Sequence, residues 1–177
     1  MTRTRLLIGL AAVLIAAVGI YWFVVRAGSA APRVLVPDLS ASIGEGSDAV
    51  GIAANGAVVR WLPLPEDPQL PQLPLGEPPK GGRVKGTALE QVRVLAAVPN
   101  ALRPYLARSS FGESGVEVEL TTGIEIRFGD ASQARRKWHA AAAILADPDV
   151  TALDYVNVSA PSRAVFYGSG HELPAPP

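Results

Sequence analysis

The sequence predicts an α+β fold: an antiparallel or mixed sheet with a helix packed on one face, preceded by a single N-terminal transmembrane helix. Three observations support this prediction. An uncharged run of twenty residues occupies 6–25. Two segments, 116–120 and 124–128, alternate apolar and polar residues as paired strands do. The segment 131–146 then carries apolar residues at helical spacing.

The N-terminal apolar run reads LLIGLAAVLIAAVGIYWFVV. As a helix it would extend over ~30 Å, which is the thickness of a bilayer hydrocarbon core. Tyr21 and Trp22 suit the aromatic belt at the interface. Because the head at 1–5 is short, the sequence favours a cytoplasmic N-terminus and an extracytoplasmic remainder. A cleavable signal peptide, cut near Ala30, is the alternative, but the run is longer than an ordinary signal-peptide core.

The next segments are rich in small residues and in proline. Residues 26–48 are interpreted as a linker, since they are small, polar and interrupted by Gly and Pro. Asn55-Gly56 stands between two apolar runs and predicts a hairpin with a type I′ turn. Residues 62–82 alternate Leu and Pro, which predicts an extended connector.

Helix boundaries are predicted from capping patterns. Thr87, with Glu90 three residues later, predicts a capping box for a helix that ends before Pro99. Asp130 is placed to cap the helix over 131–146. The segments LDYVNVSA and RAVFYG predict two further strands, and 169–177 is interpreted as a Pro-rich tail.

Composition excludes several classes of protein. Sixteen basic and sixteen acidic residues give no net charge, so a nucleic-acid partner is not expected. There is no cysteine, and the two histidines, His139 and His171, lie far apart in the chain. No metal site, cofactor or small-molecule substrate is therefore expected.

The sequence also gives little support for a catalytic site. The histidines lie on an exposed helix position and in the tail, so neither is placed to activate a serine. Glu117, Glu119 and Glu125 share the solvated face of the predicted hairpin and are interpreted as surface residues. The basic run 135–137 is interpreted as a solvated helix face, with an anion site as the alternative. The sequence thus favours a binding protein without enzymatic activity.

The last predicted strand is the candidate binding site. A strand that ends a sheet often forms its edge, where unpaired backbone groups accept a partner strand. Both faces of this strand are apolar, which favours a binding edge; an ordinary paired strand is the alternative. The candidate partner-binding residues are Arg163, Ala164, Val165, Phe166, Tyr167 and Gly168.

Several motifs occur in a characteristic order. ANGAVVRWLPLP precedes an LP-x-L stretch at 70–73, VELTTGIEIRFGD is followed by Lys137 in a helix, and LDYVNVSAPSRAVFYG comes last. Over residues 49–168 this order resembles the extracytoplasmic part of the FtsQ/DivIB family of bacterial cell-division proteins. The resemblance implies a β domain at 49–168 that includes the connector at 62–82, and a single-pass protein of the bacterial inner membrane anchored in the lipid bilayer through 6–25.

The resemblance also implies a function. Proteins of this family are non-enzymatic scaffolds whose β domain binds the bitopic partners FtsB and FtsL along its last strand and so helps control septal peptidoglycan synthesis. Two features depart from the family: residues 26–48 are too few for its POTRA domain, and Ala53 stands where the family's VD-x-x-G motif has its aspartate. An extracytoplasmic adaptor without a division role, or a cell-wall enzyme or its regulator, are the alternatives.

Overall fold

The computed structural model of the chain describes residues 38–44, 46–64 and 70–174. They belong to the second of two units, Pro37–Pro177. The predicted head and membrane span, 1–25, lie outside the described residues. No helix within the described ranges is long and apolar enough to cross a membrane.

Three short strands form an antiparallel sheet: β1 (Leu39–Ile43), β2 (Val50–Ala53) and β3 (Val58–Val59). The hairpin predicted at Asn55-Gly56 is confirmed, but its turn is not type I′. Gly56 has a φ of 80°, whereas Asn55 has a negative φ. The Asn55 side-chain oxygen instead accepts the N–H of Ala57 at 2.9 Å, which closes the turn.

The linker prediction for 26–48 is wrong in its last part, because β1 lies there. Ala41 and Ile43 are fully buried, and Ser40 and Ser42 are nearly so. The alternating serines concealed the strand, since small polar residues are also typical of linkers. In the structure their size lets β1 pack beneath a helix.

Two helices cover one side of the molecule: α1 (Gly86–Ala96) and α2 (Ala134–Leu145). The capping box predicted at Thr87 is wrong, since Lys85 precedes the helix and no side chain caps it. Glu90 makes a tertiary contact instead, accepting the N–H of Ala131 at 3.3 Å.

The start of α2 also differs from the prediction. The helix begins at Ala134 after Gln133, which has a left-handed φ of 52°. Asp130 therefore does not cap it. Its carboxylate accepts the N–H of Ser132 at 3.0 Å and the ammonium of Lys137 at 2.7 Å. Lys137 is buried, so the interpretation of 135–137 as a solvated face is wrong for this residue.

The larger sheet has five strands in the order β4 (Leu106–Gly112), β5 (Gly115–Leu120), β6 (Glu125–Gly129), β7 (Ala152–Asn157) and β8 (Val165–Glu172). Neighbours are antiparallel except β6 and β7, which are parallel because α2 connects them. The α+β fold with a mixed sheet and helices on one face is confirmed.

The core lies between the sheets and the helices. Trp138 of α2 is fully buried, and its ring centroid lies 4.7 Å from that of Phe128 on β6. Its indole N–H donates to the carbonyl of Val94 on α1 at 2.8 Å. The Trp138 side chain thus contacts both α1 and β6 from its position on α2.

Part of the Pro-rich connector joins the two sheets. The backbone N–H of Ser42 on β1 donates to the carbonyl of Pro71, and the carbonyl of Ser42 accepts the N–H of Leu73. On the other side, the backbone carbonyl of Gln72 accepts a hydrogen bond from the N–H of Ser109 on β4 at 3.1 Å. The segment 71–73 therefore lies between β1 and β4 like a short strand.

Candidate functional site

The candidate site is the free side of β8, at one end of the five-stranded sheet. The strand begins at Val165 and runs to Glu172, so it extends beyond the predicted Gly168 into the predicted tail. Arg163 closes a 3-10 turn, Pro161–Arg163, and Ala164 links this turn to the strand. Four of the six predicted residues thus lie in β8 itself.

Other sheet edges in the described part of the chain are covered. The side of β3 is covered by 82–84, since Val58 donates its N–H to Gly82 and Val84 donates to Gly56. The segment 71–73 covers β1 and the first half of β4. What remains of the β4 edge is its end around Phe111. No such segment lies along β8 among the described residues, so β8 offers the longest open edge there.

Three consecutive apolar side chains of β8 are exposed to solvent. Val165 is 56% exposed, Phe166 50% and Tyr167 67%. Isolated exposed apolar residues are ordinary, but three in a row form an apolar patch that spans both faces of an open edge strand and favours association. Ala164 and Gly168 flank the patch with less exposed positions.

The hydrogen bonds of β7 show which backbone groups of β8 face outward. Val158 donates its N–H to the carbonyl of Arg127 on β6 at 2.9 Å. Because successive residues of a strand point their N–H and C=O groups to alternate sides, Asn157 points to β8, where it pairs with Val165. The N–H and C=O of Phe166 therefore point away from β7, where a partner strand could pair with them.

The open face of the sheet carries a row of stacked side chains. The ring centroids of Tyr167 and Tyr155 lie 5.9 Å apart. The Arg127 guanidinium carbon lies 3.9 Å from the Tyr155 ring centroid. Arg127 also donates to the carboxylate of Glu125, and this hydrogen bond raises the pKa of the guanidinium. Tyr167 at the edge thus contacts the ring of Tyr155, which in turn makes a cation–π contact with Arg127.

A bulge divides β8 into two parts. Tyr155 pairs with Tyr167 and Leu153 pairs with His171, so residues 168–170 face Asp154 alone. The Asp154 carboxylate accepts the N–H of Gly170 at 2.9 Å. This bulge is not predicted from the sequence, where its only signal is the Gly-Ser-Gly run at 168–170. The bulge limits regular pairing at the edge to the part before Gly168.

The residues considered for catalysis do not converge. Glu119 pairs with Arg108 at 2.6 Å, and Glu125 pairs with Arg127. His139 is exposed on α2, whereas the His171 ring lies against Gly123. Within the described ranges, no group of three or more acidic or histidine side chains could hold a metal ion.

No protein-family model and no curated protein matches the chain. The candidate site therefore depends on the geometry of β8. That geometry combines outward backbone groups, an apolar patch and a bulge that ends it.

Proposed function

We propose that the chain is a non-enzymatic, membrane-anchored scaffold of the bacterial cell-division machinery. It binds FtsB- and FtsL-like bitopic proteins by addition of a partner strand to β8, and so helps control septal peptidoglycan synthesis. The observation that carries this proposal is the open edge of β8 with its exposed patch at 165–167.

Other sheet edges in the described part of the chain are covered by chain segments, which supports a specific role for β8. Proteins commonly protect edge strands, because an open edge pairs with other chains. This chain covers β3 with 82–84 and joins β1 to β4 through 71–73. The contrast is expected if β8 is kept open for a partner that normally occupies it.

The order of the elements supports the finer assignment to an FtsQ-like β domain. The hairpin β5–β6, the helix α2 with Lys137, and the pair β7–β8 follow one another as the sequence resemblance implies. The span at 6–25 would place this domain outside the bacterial inner membrane. Recruitment functions that depend on a POTRA domain are not part of the proposal.

A binding measurement tests the site. The full chain in nanodiscs is titrated with the FtsB- and FtsL-like proteins of the same bacterium. Phe166→Asp should weaken binding roughly 30-fold, because a charge replaces a central apolar contact. Phe111→Asp is the matched control, since Phe111 is 45% exposed at the opposite end of the sheet and should leave affinity unchanged.

The two variants also separate folding from binding. Both should retain the unfolding transition of the parent protein in urea, because both side chains are about half exposed. Equal binding by the parent and Phe166→Asp would overturn the β8 site. Failure of the parent protein to bind either partner would overturn the division scaffold itself.

Localisation separates this function from the alternatives. A fluorescent fusion of the full chain should be enriched at the septum of dividing cells, whereas an adaptor without a division role would be distributed along the envelope. Hydrolysis of purified wall material by the chain, lost on substitution of one carboxylate, would favour the enzyme alternative.

A further inference from the structure

A small basic cleft lies where the chain enters β8. Its lining consists of Arg136, His139 and Ala140 of α2 together with Pro161 and Ser162, and its volume is about 440 Å³. Arg136 and His139 are three residues apart on the helix and so project from the same face. Together these five residues form the basic cleft.

The guanidinium of Arg136 in the basic cleft has no acidic partner among the described residues. No carboxylate lines the cleft, and Arg136 donates only to the side-chain oxygen of Gln133, at 3.3 Å. Arg163, which follows Ser162, is exposed and likewise forms no ion pair in the described part of the chain. A guanidinium has five N–H donors, so most of those on Arg136 remain available for an acceptor.

The basic cleft lies on the same side of the sheet as Phe166. Phe166 faces Val156 on β7, and Val156 is fully buried in the core cluster that includes Trp138 of α2. A partner strand beside β8 would place every second side chain on this helix-covered side. If the partner strand continued past Val165 toward the turn Pro161–Arg163, it would approach the basic cleft.

We propose that the basic cleft binds a carboxylate of the partner protein, next to the strand that pairs with β8. The partner segment therefore combines an apolar residue opposite Phe166 with an Asp or Glu near Arg136 and His139. This inference rests on the proposed function and adds the chemistry of the partner: strand pairing supplies the common contact, and the carboxylate supplies specificity and register.

Charge reversal in the full chain, in nanodiscs, tests the proposal with the FtsB- and FtsL-like proteins as probes. Arg136→Glu should weaken binding about tenfold at low salt, and the loss should shrink as sodium chloride screens the charges. Arg135→Glu is the matched control, because Arg135 is exposed on the same helix but does not line the basic cleft. It changes the net charge equally and should leave affinity within about twofold.

The outcomes distinguish the two proposals. If Phe166→Asp weakens binding as expected while Arg136→Glu has no effect, the edge is correct and the basic cleft has no part in binding. Equal losses for Arg136→Glu and Arg135→Glu would show only a general charge effect and would also overturn the basic cleft. Concentration-dependent dimerisation of the chain alone, lost in Phe166→Asp, would mean that β8 binds a second copy and would overturn both proposals.

Discussion

At the scale of single residues, Lys137 shows how a charge can organise the core. Its ammonium donates to the carbonyls of Phe128 and Asp130 at 2.9 and 3.0 Å, and to the Asp130 carboxylate at 2.7 Å. These three bonds use all three of its N–H groups. They hold the end of β6 against the first turns of α2, and Trp138 is the next residue along the helix.

Removing this ammonium should destabilise the protein. Lys137→Met keeps the length of the side chain but leaves buried carbonyl oxygens without their donor, at a cost of roughly 1–3 kcal/mol in the free energy of unfolding. Lys80→Met, at an exposed lysine, should change it by less than about 0.5 kcal/mol. Urea unfolding followed by circular dichroism measures both. Equal stability of the two variants would contradict the role of Lys137.

The carboxylate of Asp130 makes part of this stability depend on pH. The hydrogen bond from Lys137, followed by that from Ser132, lowers the pKa of Asp130 from 3.8 to about 2. A lowered native pKa gives stability that is complete above the unfolded value and is lost as the pH falls toward 2. The stability difference between the parent and Asp130→Asn should therefore be largest above pH ~5 and should narrow toward pH ~2. A difference that stays constant over this interval would exclude the linkage.

At the scale of secondary-structure elements, alternation predicts the central hairpin correctly. Val116, Val118 and Leu120 are buried while Glu117 and Glu119 are partly exposed, because each strand has one face on the core. In contrast, β1 is not predicted, because its short alternation of apolar residues with two serines lies in a segment whose small and polar composition is typical of a linker. Its position depends on hydrogen bonds to the connector at 71–73, which are distant in sequence.

The end of the binding edge also depends on a contact that sequence reasoning does not provide. At the bulge, 168–170, the Asp154 side chain of β7 occupies the space where side chains at Gly168 and Gly170 would lie, so both positions require glycine. The glycines are visible in the sequence, but the strand that faces them is known only once the register is known. The existence of a strand at this position is therefore predictable from the sequence, whereas the limit of its regular pairing is not.

Substitution of Gly168 tests the bulge. Gly168 has a φ of 94°, and an added Cβ would lie 1.9 Å from an Asp154 carboxylate oxygen. Gly168→Ala should lower the free energy of unfolding by roughly 1–3 kcal/mol. Gly76→Ala is the control, because nothing lies within 4 Å of the added atom and its φ is not in the left-handed range. It should leave stability unchanged or raise it by up to about 1 kcal/mol, and a similar loss in both variants would contradict the bulge.

At the scale of the whole molecule, the fold leaves one long sheet edge open among the described residues. The two helices cover the core side of the sheet, and chain segments cover β3 and join β1 to β4. On the open face, Arg108–Glu119 and Arg127–Glu125 ion pairs make the surface polar. A partner that adds a strand would thus meet its strongest apolar and backbone contacts at β8.

Site-specific photocrosslinking in dividing cells tests this account most directly. A photoreactive phenylalanine analogue at 166 should form a covalent adduct with an FtsB- or FtsL-like protein, because this position lies on the open edge. The same analogue at 111 is the control, since Phe111 has similar exposure at the other end of the sheet. An adduct from 166 and none from 111 is the predicted result. No adduct with either partner from 166, or equal adducts from both positions, would contradict it.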